Sequence, residues 1–98
     1  MDYVRAILEI VLEDFRAKTG IDLRYDAEAM KTVEKSCERA ALEVERRGIA
    51  NVSAPFLVFD GSRPVHLDLT LTRDEVAARA GATANRKEGS RLGQAGLL

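Results

Sequence analysis

The segment from Val65 to Thr72 constrains this chain more than any other. Val65, Leu67, Leu69 and Leu71 alternate with His66, Asp68, Thr70 and Thr72. A period of two puts one side of a strand on a core and the other in water. Just upstream, Asp60-Gly61-Ser62-Arg63-Pro64 is dense in turn formers, with Gly tolerating positive φ and Pro stopping ladder pairing. Before the turn, Pro55 precedes Phe56-Leu57-Val58-Phe59, an apolar run that suits a strand buried on both faces or a strand end. These residues predict a β-hairpin across 55–72.

Two helices are available to cover it. Tyr3, Val4, Ile7, Leu8, Val11, Leu12 and Phe15 recur at three- and four-residue steps, and Gly20 supplies the stop, which predicts a helix over 3–18. Ile10 falls outside that stripe, so the apolar arc is wider than one core face requires and points to a second packing partner, one that can lie outside this chain. Ile21-Asp22-Leu23-Arg24-Tyr25 alternates like a short extended piece. Asp26 then offers an N-cap for a second helix, from about Ala27 to Arg47, ending at Gly48. Its seam is Met30, Val33, Cys37, Ala40 with Ala41, and Val44. Its outer face carries Lys31, Glu34, Lys35, Glu38, Arg39, Glu45 and Arg46, a solvated surface by default. Thr72-Arg73-Asp74-Glu75 fits a capping box, so a short third helix begins after Thr72 and fades by Gly81. The fold class expected is α+β, two helices packed on an antiparallel hairpin with a short third helix.

Composition narrows the function classes. The chain has 98 residues, 15 Lys+Arg against 16 Asp+Glu, 46% hydrophobic and 32% charged residues. That is one small globular domain with no global attraction to nucleic acid or acidic membranes. No apolar stretch approaches the ~20 residues of a spanning helix. Asp2, Glu9, Glu13 and Asp14 break up any signal peptide at the start. Those features favour an intracellular setting, cytoplasm or organelle matrix. A single cysteine, Cys37, and a single histidine, His66, leave no disulfide framework and no imidazole or thiolate metal cluster.

No P-loop, dinucleotide turn, zinc spacing or nucleophile elbow is present. Cys37, on the seam of an amphipathic helix, reads as a small buried apolar residue rather than a nucleophile. His66, two residues from Asp68 on a polar strand face, reads as exposed and hydrogen-bonded rather than catalytic. Nothing in the carboxylate spacing suggests a glycosidase pair. Gly81, Gly89, Gly93 and Gly96 interrupt any helical rhythm, so a domain over residues 1–80 is followed by a poorly ordered glycine-rich tail over 81–98, with 82–98 lacking an apolar pattern until the last two leucines. From Arg79 onward, Arg79, Arg86, Lys87 and Arg91 stand against Glu88 alone, a net +3. That charge keeps an alternative on the table, a small helix-turn-helix DNA-binding protein with residues 71–83 as its first helix and turn. Its recognition helix would occupy about 85–94. Gly89 and Gly93 would each cost it roughly 1 kcal/mol relative to Ala.

A collinear series of short pieces carries more information than any one of them. Asp2-Tyr3, Phe15, Thr19-Gly20-Ile21-Asp22-Leu23, Asp26, Ala29-Met30, Glu38-Arg39-Ala40, Pro55-Phe56, Asp60, Pro64, His66-Leu67 and Leu71-Thr72-Arg73 follow one another at fixed spacing. This series resembles the heat shock protein 70 (DnaK) family, without a gap from about residue 2 to residue 76. The part resembled is the mobile upper lobe of the actin-like ATPase domain, subdomain two-B. In the chaperones the same Leu-Thr-Arg opens an ordinary helix, which speaks against the DNA-binding alternative.

The resemblance implies a chaperone lobe that covers the adenosine of ATP or ADP and that nucleotide exchange factors lever open. Magnesium and the phosphates are held elsewhere in the family's domain. The family's phosphate loop would end just before Asp2, so the resemblance implies a lobe truncated at both ends, not catalytic alone and binding no nucleotide tightly. The remaining lobes of an ATPase domain and an exchange factor are the implied partners; membrane is not, and nucleic acid is disfavoured. Residue by residue, Glu38 matches the glutamate that hydrogen-bonds the ribose hydroxyls, and Leu42 the position that lies against the adenine. Ala41 stands where a ribose-contacting lysine is usual. Glu45 stands where a serine reaches the adenine edge, and a carboxylate is a poor match for purine ring nitrogens, which are acceptors. Lys35 replaces an acidic residue that helps latch the lobes together in bacterial relatives. After Val76 the residue-by-residue match fails, with Arg79 at a position apolar in the family.

Overall fold

The computed structural model describes residues 3–81. Helix α1 spans Tyr3–Thr19, a single 3-10 turn spans Leu23–Tyr25, and helix α2 spans Ala27–Arg47. Strand β1 runs Ile49–Asp60 and strand β2 Arg63–Thr72, paired antiparallel in a two-stranded sheet. A third helix, α3, occupies residues 73–81. The order is that of an α+β fold, as the hydropathy patterns predict. Among the described residues no helix is long and apolar enough to cross a membrane.

Each helix starts and stops for a local reason. The Asp26 carboxylate accepts the Ala29 amide at 3.0 Å, capping α2, and Gly48 ends it at φ 80, its N–H reaching the Val44 carbonyl at 2.9 Å. That left-handed turn is one a glycine adopts without a Cβ penalty. At α3 the capping box closes in both directions. Thr72 Oγ1 accepts the Glu75 amide at 3.2 Å, and Glu75 Oε1 accepts the Thr72 amide at 2.8 Å.

One apolar layer lies between the helices and the inner face of the hairpin. α2 contributes Ala29, Val33, Cys37, Ala40, Ala41 and Val44; α1 contributes Ala6, Ile7, Val11 and Phe15. The sheet adds Ala50, Val52, Ala54, Val58, Leu67 and Leu71, with Leu23 and Val76 completing the core. The breadth of α1's apolar arc has a partner inside the chain. Ile10 lines a shallow recess with Leu71, Glu75, Ala78 and Arg79, so this side of α1 faces α3.

The structure corrects three local expectations. Ile21–Tyr25 is not an extended piece. Asp22 takes the Arg24 amide at 3.1 Å and winds the chain into the 3-10 turn, which drops Leu23 into the core at 0% exposure and leaves Tyr25 89% exposed. An aspartate that can bond the amide two residues on wins over a strand with no neighbour to pair with. Next, β1 begins at Ile49, six residues before Pro55. Its inward residues Ala50, Val52 and Ala54 and its outward Asn51 and Ser53 are mostly poor strand formers, so tertiary packing decides. Finally, Pro64 does not stop the ladder but lies in it opposite Phe59. In a two-stranded sheet each strand has a free edge, where a missing N–H costs no pairing. The run at 56–59 is a strand end, since Phe56 and Phe59 are more than half exposed.

Candidate functional site

Helix α2 places the candidate nucleotide residues. Glu38, Leu42 and Glu45 follow one another at the four- and three-residue steps that share a helix face, and all are exposed. Leu42 is 60% exposed, an apolar side chain among charged ones. Ala41 turns the other way: at 5% exposure it belongs to the core. A lysine there would have to carry its stem out past the seam to reach solvent. Lys35 lies one turn earlier, also exposed. The helix therefore brings Glu38, Leu42 and Glu45 onto one surface and sets Ala41 beneath it.

Glu38 also borders a groove between the two long helices. Its walls are Val4, Leu8 and Leu12 of α1 with Arg5 and Glu9, then Arg24, and Glu34 and Glu38 of α2. Half-buried apolar side chains form its floor and both signs of charge its rim. Leu42 and Glu45 lie outside it, so the groove and the candidate surface share Glu38 alone. Beneath that surface lies Cys37, fully buried. Burial first, then the charges of Glu34 and Glu38, push its thiol up to about 12. A thiol held neutral in this way is no nucleophile.

The C-terminal end of this face is tied down by a residue from another element. Arg73, first in α3, donates from Nε to the Val44 carbonyl at 3.1 Å and from Nη2 to the Glu45 carbonyl at 2.8 Å. Its own amide meets the Gly48 carbonyl at 2.8 Å. A guanidinium on the last carbonyls of a helix satisfies orphan acceptors and opposes the negative end of the helix dipole. Nothing in residue spacing announces this, because the two elements are far apart in sequence and meet through the hairpin. Arg79 was equally silent: it grips Glu13 of α1 with both terminal nitrogens at 2.6 Å and lies 3.6 Å from Glu9. A guanidinium on α3 thus meets two carboxylates of α1.

His66 is exposed and hydrogen-bonded, as its strand position predicts. Its partner is the backbone of Phe56, which donates to Nδ1 at 2.7 Å. Asp68, two residues on along that face, instead accepts from the Asn51 side-chain Nδ2 at 2.8 Å.

The donor chemistry decides what these residues can hold. A carboxylate beside an exposed leucine offers acceptors for sugar hydroxyls and an apolar contact for a planar base. Glu45, an acceptor only, has nothing to donate to a purine nitrogen. Among the described residues no group of three or more His, Cys, Asp or Glu side chains could hold a metal ion. Gly20, Gly48 and Gly61, which have positive φ, stand singly at turns rather than as a phosphate-cradling run. Residues 85–94, the stretch a DNA-recognition helix would need, and the glycine-rich tail over 82–98 lie outside the described residues.

The chain was compared with known families. The family model described as Hsp70 protein matches residues 1–87, which carries the similarity past Val76 and through α3.

Proposed function

This chain belongs to the Hsp70 family, whose members are chaperones that use ATP, and from that premise we propose that it is the mobile upper lobe of the family's ATPase domain. In this reading α2 covers the adenosine of ATP or ADP. Glu38 accepts hydrogen bonds from the ribose hydroxyls and Leu42 lies against the base. Ala41 and Glu45 are contact positions that no longer contribute. The lobe alone does not hydrolyse ATP, because phosphoryl transfer needs a metal and a phosphate cradle that the rest of an ATPase domain would supply. Partner lobes and, through α2 and the hairpin, a nucleotide exchange factor are its binding partners, in an intracellular setting.

The observation that carries this reading is Leu42, a leucine left 60% exposed one turn from Glu38 on an otherwise charged helix face. An apolar contact beside an acceptor matches a base joined to a sugar. It has no use in the lobe's own core, which Ala41 and Val44 already fill from the other side of α2.

Calorimetry with ATP and ADP tests the reading. With two contacts of four gone and no phosphate ligands, the isolated chain should bind with a Kd well above the micromolar range. Micromolar affinity would overturn the proposal that this lobe needs the rest of a domain.

A further inference from the structure

The outer half of the hairpin contains an element that the nucleotide reading does not use. Strand register is regular from Ile49 opposite Thr72 to Ala54 opposite Leu67, and resumes with Val58 opposite Val65. Between these points Pro55, Phe56 and Leu57 all face the single residue His66. A bulge of this kind leaves backbone groups without ladder partners. Pro55 has no N–H to lose. The Phe56 N–H is the donor at risk, and it is taken up by His66 Nδ1 at 2.7 Å. The two rings then meet edge to face, with centroids 4.8 Å apart at 84°.

Phe56 is also the one described non-glycine residue with positive φ, at 54°. A bulky L-residue enters that region only when its surroundings hold it there. Phe56 is 63% exposed, so its own side chain is not anchored in the core. Between the flanking ladder pairs, the contact made to Phe56 itself is the imidazole, through one hydrogen bond and one ring contact.

We propose that His66 is a proton-operated latch on this bulge: the neutral imidazole holds Phe56 in its left-handed conformation, and protonation releases it. The chemistry is direct. To accept from an amide, Nδ1 must carry a lone pair, which places the ring proton on Nε2. The imidazolium carries a proton on both nitrogens, so Nδ1–H would point at N–H and attraction becomes repulsion. Histidine is the side chain whose ordinary charge change falls between pH 5 and 8, and that is the range a test has to cover.

The surroundings do not offer a substitute. On the same face of β2, Asp68 accepts from the Asn51 side-chain Nδ2. Asp60 and Arg63 lie opposite one another at the end of the hairpin. α2, with its charged outer residues, packs on the opposite face of the sheet, where Ala50, Val52, Ala54 and Leu67 are buried. Release is therefore local. Residues 55–66 change conformation while the inner half of the hairpin keeps its register and its core contacts.

The test is an amide and imidazole NMR titration of the full chain from pH 8 to pH 5. At pH 8 a hydrogen-bond scalar coupling joins the Phe56 amide nitrogen to His66 Nδ1. As pH falls, the coupling disappears and the Phe56 amide shift moves with the same midpoint as the His66 ring, while the Val52 and Leu69 amides stay in place. In His66→Gln, which can accept but cannot titrate, the Phe56 amide becomes insensitive to pH over this range. A His66 ring that titrates while the Phe56 amide and its coupling persist would overturn the proposal. So would a Phe56 amide that still titrates in His66→Gln, or Val52 and Leu69 moving together with Phe56.

Discussion

The two long faces of α2 obey different rules. On one, Val33, Cys37, Ala40, Ala41 and Val44 are buried against α1 and the sheet. Size and apolarity are the requirement there. On the other, Glu38, Leu42 and Glu45 touch solvent, and stability places almost no demand on which residues they are. Ala41 and Leu42 are adjacent in sequence, yet one is 5% and the other 60% exposed. The contrast separates residues kept for the fold from residues available for a ligand. It also means that a change at position 45 leaves the packing of α2 untouched.

The largest effect expected is on the buried side. Val33→Asp puts an unpaired charge where the side chain is 0% exposed, at a cost of about 3–5 kcal/mol. Small domains are stable by only about 5–15 kcal/mol in total, so the thermal transition followed by circular dichroism should broaden or vanish. Glu34→Ala, one residue along on the exposed face, should stay within about 0.5 kcal/mol of the parent. Similar losses in the two variants would break the distinction between the faces. Next comes Arg73→Ala, which strips both carbonyl contacts from the end of α2. Hydrogen bonds to a charged group are worth about 1.5–3 kcal/mol, and urea unfolding should show a loss near the lower end because the site is only partly buried.

Arg79→Ala should cost less, about 1 kcal/mol or below, as a surface ion pair does. The difference from the parent should shrink in 1 M salt, where the Debye length is about 3 Å. A salt-independent loss would mean that α3 is held by packing instead. The smallest effect concerns the 3-10 turn. The Arg24 guanidinium, hydrogen-bonded to Asp22, holds that carboxyl at about 2 against an ordinary 3.8. A depressed carboxylate favours the fold above its ordinary value, and that contribution fades as pH falls from about 4 through 2. An NMR titration should place Asp22 near 2 and move it upward, toward the ordinary 3.8, in Arg24→Ala.

The helices were legible because their signals are local. Asp26, Gly48 and the Thr72–Glu75 box act within a turn of themselves, and the α2 seam repeats at helical steps. The first half of β1 was not legible. Ala50, Asn51, Ser53 and Ala54 carry no strand preference and form one only because Leu67, Leu69 and Leu71 lie opposite. Asp22 shows a different failure, in which alternation was present but a side chain to backbone bond overrode it. At the candidate site the resemblance picked out Glu38, Leu42 and Glu45, which share a face, and Ala41, which does not. Arg73 as the tether of α2, and Arg79 on Glu13, needed three dimensions, since each joins elements that sequence separates.

One measurement bears most directly on the proposed role of α2. Residues 2–76 would replace the upper lobe of a complete Hsp70-type ATPase domain, and release of a fluorescent ADP would be timed against the unmodified domain. The result expected is a folded chimera that binds ADP and releases it faster than the parent, with Glu38→Ala speeding release further. A folded chimera that holds ADP as long as the parent, or is indifferent to Glu38→Ala, would contradict the assignment of this face to adenosine.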